Sequence, residues 1–419
     1  MEESLKIKKA SLYNFLLFTT VFVSFFDSHI EKIVAIKRLP LPEVLLLSIA
    51  VVFLIKNSFN NLKTITINVL IVILFLFGLL SGIVNKNPLL TTFLGVIWVF
   101  KSLVALYVGY NLAFNDKQRD SVLRLLYKIS LLTALFTGIQ ILYGPLNPFF
   151  NGVFNPFGFV LTSSGLNGFM DNPNKNGFML LFGFLYVLIS KVKYGRLLAA
   201  IFIIEIFFVQ SRQIIIVLVL ILLYYFITIR KNHVQVLVIF LGLVMGVLLF
   251  KDSLFHRFAH EIPRILDTGN YFRVKALKIG FDVLKDNMLV GSGPGTFGGI
   301  VAHLTNSPVH ENYNLFEHWS AYKNLDIVPV TIDMYWPHLF VEIGVIGMVI
   351  FMALYIKIHE KLKERSNESS NFIRILFIVV CVMGFFSMSL ESSYLVYPIF
   401  ILIGIEIKCI KNERKVIPR

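Results

Sequence analysis

The chain has 419 residues, 56% of them hydrophobic and 15% charged, with a mean hydropathy of +0.75. A soluble domain carries about 25% charged residues, so this balance excludes a string of soluble domains and makes the bilayer the solvent. The formal charge of +14 does not point to nucleic acid, because most Lys and Arg flank apolar runs instead of forming a separate basic stripe or arm. Cys381 lies inside an apolar run and Cys409 at the end of another, which leaves no disulfide or metal framework.

A membrane span needs about 20 mostly apolar residues. In chain order, about twelve runs approach that template, beginning near Ser11, Leu41, Ile65, Leu89, Ser121, Asn174, Arg196, Arg212, His233, Tyr335, Phe372 and Ser392. Lys6, Lys8 and Lys9 ahead of the first run resemble the start of a signal peptide. No small-residue cleavage pattern follows, so this run reads as a retained first helix. The expected architecture is an all-α polytopic membrane protein.

With the N-terminus inside, alternate connections collect the basic residues. Lys117, Arg119 and Arg124, then Lys191, Lys193 and Arg196, then Lys357, Lys361, Lys363 and Arg365 fall on the inner side, as does the tail from Lys408. The stretch Gly144 to Asn172 has no Lys or Arg and falls outside. Both termini are then cytoplasmic. The longest connection, between the ninth and tenth candidate helices, is a large, partly helical extracytoplasmic loop. The expected division is 1–250 for helices one to nine, 251–334 for the loop or lid, and 335–419 for the last three helices and tail. Within the loop, Tyr271 to Lys285 reads as an amphipathic helix, with Val274, Leu277, Val283 and Leu284 apolar and Arg273, Lys275, Lys278 and Lys285 polar. The run Gly291-Ser292-Gly293-Pro294-Gly295 stops it.

Ser211-Arg212-Gln213 is a polar cluster between two apolar runs at the expected outer surface. Arg212 there either snorkels to head groups or clamps a phosphate through its planar fork of donors. Arg273 belongs to a solvated helix face or is a second anion ligand, in a neighbourhood made basic by Arg257, Arg264, Lys275 and Lys278. The string GSGPGTFGG at Gly291 lacks the Gly-Lys-Ser/Thr of a nucleotide loop, and its expected task is a sharp turn or a close backbone approach. Asp333, Tyr335, Trp336, His338 and Glu342 open the tenth candidate helix. Pro337 sits early in it and His338 and Glu342 are four apart on one face. This set offers a general base for a sugar hydroxyl. Lys101 and Glu205 lie within apolar runs and either pair, line a pathway or snorkel. The segment Asp171 to Gly177, with Asn174, caps the sixth helix or adds polar contacts to a sugar.

Taken together, NPNKNG at Asn172, SRQ at Ser211, the stretch from Tyr271 through GSGPGTFGG, and VEIGVIG at Val341 resemble the O-antigen ligase and O-antigen polymerase superfamily of bacterial polysaccharide assembly. The resemblance implies a glycosyltransferase of the bacterial inner membrane, acting on its outer face. The implied donor is a glycan on undecaprenyl pyrophosphate, with no nucleotide sugar, cofactor or metal. It implies pyrophosphate binding by Arg212 and Arg273; the candidate site is completed by Lys275 beside them, by Asp333, His338 and Glu342 as the catalytic set, and by Asn174, Gln213 and Tyr335 as substrate contacts. A chain-length regulator is a candidate partner. The chain departs from the ligase-like pattern in one respect: Asp333 stands nine positions before Glu342, where those members carry His, and His338 stands four before it. The departure favours a polymerase, which joins lipid-linked repeat units, over a ligase, which delivers the glycan to another acceptor such as lipid A-core. A flippase or transporter of the same lipid-linked sugar is the alternative of a different class, and no internal repeat supports it.

Overall fold

The computed structural model describes residues 11–25, 41–57, 66–113, 115–143, 170, 172–190, 192–209, 211–229, 272–305, 307–313, 334–387 and 389–416. No strand occurs among them. In chain order the helices are α1 (Ser11–Phe25), α2 (Leu41–Asn57), α3 (Thr66–Val84), α4 (Leu89–Val99), α5 (Lys101–Leu112), α6 (Asp116–Tyr143), α7 (Pro173–Ile189), α8 (Gly195–Val209), α9 (Arg212–Tyr224, continued by a π turn), α10 (Phe272–Asp286), α11 (Ile300–Leu304), α12 (Pro308–Asn312), α13 (Tyr335–Lys363), α14 (Glu368–Met383) and α15 (Ser393–Val416). All but one of the expected starts coincide with, or fall within the first turns of, one of these helices. The exception, near His233, lies outside the described residues.

The lengths differ from the expectation. Among the described residues, α3, α6, α13 and α15 are long and apolar enough to cross a membrane, and α4 with α5 forms a fifth candidate bent by 57°. Among the described residues α7 has 17 residues, α8 has 15, and α9 has 13 before the π turn that extends it by five, so these are the shorter apolar helices. Twelve full-length spans are therefore not found; the chain is a multi-pass all-α membrane protein with four or five candidate spans among the described residues. The expected amphipathic loop helix is α10, and it stops at Asp286, five residues before Gly291.

Small residues decide where the helices touch. A Cβ on Gly109 would lie 2.2 Å from the Ile401 carbonyl, and one on Gly404 would lie 2.2 Å from that of Leu106, so α5 and α15 pack backbone against backbone. Lipid tails are as apolar as Leu, so contact of this kind, not hydrophobicity, selects helix partners in a bilayer.

The bundle has two chemically distinct ends. At one, Arg365 in the α13–α14 turn makes two hydrogen bonds to Asp116 at the start of α6 (2.7 and 3.0 Å) and pairs with Glu413 on α15. Arg119 donates to Glu406 at 2.8 Å, and the Ser370 hydroxyl donates to the same carboxylate, which is fully buried. This is the end that the basic residues assign to the cytoplasm. The starts of α7, α9 and α13 and the end of α14 lie at the other.

Candidate active site

The second end is organised around an interruption in α13. Gly344 has φ 63° and ψ −170°, a combination open essentially to glycine, so the helix stops after Ile343 and resumes at Val345. A break inside a bilayer frees backbone groups that must be paired within the protein. The glycine-rich loop and the chain just before it supply the partners. Ser292 and Gly293 donate their N–H groups to the carbonyls of Val341 and Glu342 (3.0 and 2.9 Å), while Val345 and Ile346 donate to Met288 and Leu289 (3.0 and 3.1 Å). The fit demands glycine on both sides: a Cβ on Gly344 would lie 2.4 Å from the Gly291 nitrogen, and one on Gly291 would lie 2.4 Å from the Glu342 carbonyl oxygen. The strings GSGPGTFGG and VEIGVIG are thus mated halves of one structural unit. Asn85 and Asn87, in the turn after α3, donate to the carbonyls of Gly291 and Ser292 (both 2.8 Å) and fix the unit to α3 and α4.

Glu342 holds the unit from inside. Its Oε2 accepts the N–H of Gly295 (2.9 Å) and its Oε1 that of Phe297 (2.8 Å). His338, one turn earlier, lies with Nε2 3.0 Å from Glu342 Oε1 and Nδ1 3.1 Å from Glu391 Oε1. A carboxylate oxygen therefore stands at ion-pair distance from each ring nitrogen. Glu391, in the short 3₁₀ turn before α15, also accepts from Trp98 Nε1 at 3.1 Å. The Lys101 ammonium stands 4.0 Å from the Trp98 ring centre and donates to Glu43 at 3.0 Å, and the Ser393 hydroxyl donates to the same Glu43 oxygen at 2.6 Å. A continuous polar chain therefore runs from the glycine loop through α13 and the α4–α5 bend to α2 and α15. Lys101 does not pair with Glu205, as one sequence reading had it. Glu43 takes that place, and Glu205 on α8 lies instead against Gly138 of α6.

The other expected residues are distributed around this centre. Asn172 caps α7 by accepting the N–H of Asn174 (2.7 Å), and the Ser211 hydroxyl donates to Asn174 Oδ1 (2.8 Å) instead of capping its own helix. The starts of α7 and α9 are thereby joined, bringing Asn174 beside the segment of Arg212, the first residue of α9, and half-buried Gln213, the second. Arg273 and Lys275 occupy the first turn of α10, which packs through Ala276, Gly280, Val283 and Leu284 on Phe297 and Val341. By helical period, position 273 falls on the strip of Ala276, Gly280 and Leu284, and position 275 on the polar side with Asp282 and Asp286. Asp333 lies outside the described residues; the chain on either side of its segment is anchored. The Tyr313 hydroxyl donates to Asp286, and burial together with that carboxylate pushes the phenol up to about 12. The Tyr335 N–H bonds the Gly384 carbonyl at 3.0 Å. Tyr335 itself is no rim residue: it is fully buried and its hydroxyl donates to the Val99 carbonyl at 3.2 Å.

Residues 197–352 match the family model for O-antigen ligase. No curated protein matches the chain. The family segment runs from α8 into α13 and contains Arg212, Arg273, Lys275, the glycine loop, Asp333, His338, Glu342 and Gly344. The match agrees with the superfamily resemblance of the strings. Asn174 precedes the segment and Glu391 follows it. Sequence reasoning missed Glu391, Trp98 and Glu43. Their only signal was an acidic or aromatic residue near the end of an apolar run, which is also the signature of an ordinary interfacial anchor.

Proposed function

We propose that the protein is a polysaccharide polymerase of the bacterial inner membrane. On the outer face it transfers a glycan from undecaprenyl pyrophosphate to the terminal sugar of a second lipid-linked repeat unit. The observation that carries this reading is the O-antigen ligase match over residues 197–352, in a fold whose α7, α9 and α13 starts share one end. Arg212, at the first position of a helix whose cap residue turns its hydroxyl elsewhere, and Arg273, on the α13-facing strip of α10, are the proposed pyrophosphate ligands. Guanidinium groups suit this task because they neutralise charge growing on the leaving oxygens. Lys275 adds positive charge at longer range, and Asn174 and Gln213 are proposed sugar contacts.

In the proposed step, the acceptor hydroxyl oxygen attacks the anomeric carbon of the donor. The carbon–oxygen bond to phosphate breaks, its electron pair leaves on the pyrophosphate, and the hydroxyl proton passes to a base. Asp333 is the proposed base. It occupies the position nine before Glu342, whereas His338 is only 1% exposed, has a carboxylate at each ring nitrogen, and is covered by Gly299, whose Cβ would lie 3.2 Å from the ring. His338 and Glu342 are accordingly assigned to holding the site.

The test is reconstitution of the purified protein in lipid nanodiscs with lipid-linked repeat units. The expected products are longer lipid-linked glycans and free undecaprenyl pyrophosphate. Delivery of glycan only to lipid A-core marks a ligase, and movement of unchanged lipid between leaflets removes the enzyme reading altogether.

A further inference from the structure

We infer that Glu391 is a positioning residue for the transfer reaction, acting through His338 and Glu342 on the glycine-rich loop and on the helix that carries Arg273. The inference rests on the function proposed above. It arises from a side chain 49 positions beyond Glu342 and outside the family segment.

Each link is a contact of known geometry. Glu391 Oε1 faces His338 Nδ1 at 3.1 Å, and the opposite ring nitrogen faces Glu342 Oε1 at 3.0 Å, so the carboxylate on one side fixes the ring that meets the other. Glu342 in turn holds the N–H groups of Gly295 and Phe297. The Phe297 ring then seats α10: a Cβ on Gly280 would lie 3.1 Å from its tip. Position 273 is two helical turns before Gly280 on the same strip. Glu391 is itself anchored, since Trp98 donates to its second oxygen at 3.1 Å. Glu391, His338 and Glu342 are all buried, at 8%, 1% and 0% exposure, so none of the three presents a face to a substrate. What the chain of contacts transmits is orientation: freeing the imidazole lets the Glu342 carboxylate swing off the loop amides, and the loop and α10 lose their common anchor.

Two variants separate positioning from acid–base chemistry. In Glu391→Gln the amide oxygen still accepts from Trp98, and the amide nitrogen donates to Nδ1 of a neutral ring whose Nε2–H still meets Glu342. Glu391→Leu fills a similar volume and meets neither partner. Glu391→Gln is expected to keep the transfer rate within about threefold of wild type. Glu391→Leu is expected to lose about tenfold or more in kcat, the scale of a buried hydrogen bond to a charged group. The second measurement is amide hydrogen exchange, read on the protein in nanodiscs. In Glu391→Leu the peptides covering Gly295 and Phe297 exchange about tenfold faster while those of α3 are unchanged; Trp98→Phe, a milder loosening, shifts the same peptides in the same direction. A Glu391→Gln variant as inactive as Glu391→Leu overturns the inference, because the carboxylate is then needed for its chemistry. Unchanged loop exchange in both Glu391→Leu and Trp98→Phe overturns it as well. Variants that respond in exchange as described, beside a wild-type protein that transfers no glycan, leave the positioning chain standing and sink the functional reading.

Discussion

Replacing Gly344 by alanine tests the central structural claim, that α13 is broken and re-joined through the glycine loop. At φ 63° and ψ −170° an L-residue is strained by about 1–3 kcal/mol. The new methyl would also stand 2.4 Å from the Gly291 nitrogen and 2.7 Å from the Leu289 carbonyl oxygen, both backbone atoms that cannot rotate away. Relief requires the loop to retreat, which stretches the four backbone bonds joining residues 288–293 to 341–346. Losing two of these at about 1 kcal/mol each brings the total cost to about 3–5 kcal/mol. The assay is thermal unfolding of the purified protein in detergent, followed by tryptophan fluorescence, alongside the transfer assay. Gly344→Ala should unfold at a markedly lower temperature and transfer no glycan. Gly195→Ala is the control: its Cβ would meet the Val187 side chain at an ordinary 3.4 Å, and the expected change is within about 0.5 kcal/mol. A Gly344→Ala protein with wild-type stability would mean that the helix runs straight through this position and that the loop is not its partner.

Arg212→Ala and Arg273→Ala should each reduce transfer by about a hundredfold or more while leaving yield and unfolding temperature unchanged; full activity in both variants would remove the proposed pyrophosphate clamp. Lys275→Ala, on the other side of α10, should change the rate by no more than about threefold, and a loss equal to that of Arg273→Ala would reverse their assignment. Asp333→Asn should lower kcat by about 10²–10⁴ with little change in donor binding, measured by single-turnover kinetics; a wild-type rate excludes Asp333 as the base. Lys101→Met strands the buried carboxylate of Glu43 and should destabilise by about 3–5 kcal/mol, and adding Glu43→Gln should recover much of that loss; an additive double variant would show that the pair is not coupled.

Where each helix begins was legible because an apolar run flanked by polar residues is a local signal. The starts of α4, α9 and α13 agree with it to the residue, and those of α7, α8 and α15 to within one. Span length was less legible. The run from Leu89 reads as one helix, yet it divides at Phe100, where Lys101 turns inward to Glu43, and no periodicity reports that a lysine has a partner 58 positions earlier. The structural use of the glycine string was readable from what it lacked, the lysine of a nucleotide loop. Its mate was not, because Gly344 looks like any small residue in an apolar run until the chain folds back on it. Tyr335 misled in the opposite sense: a tyrosine at the mouth of a span ordinarily faces the interface, and here its hydroxyl finds the Val99 carbonyl in the core.

The arrangement explains how an outer-face site is held rigid on a bundle of short helices. A carboxylate buried in a membrane protein is costly unless its oxygens are occupied, and Glu342 has a backbone N–H on each oxygen and an imidazole besides. Each of those contacts reaches a different part of the site: Gly295 rests against Gly95 of α4, Phe297 against α10, and His338 leads to Glu391 and α15. One ionisable side chain thus resists three separate displacements, and the desolvation that makes it costly also makes any partial loosening costly. The same logic accounts for the break at Gly344. A continuous helix would satisfy its own carbonyls and have no backbone groups to offer the loop, whereas an interrupted one binds the loop through groups that the bilayer cannot satisfy. The interruption is therefore what attaches the Arg273 helix to the membrane core, and a more regular α13 would form a better span but a poorer platform.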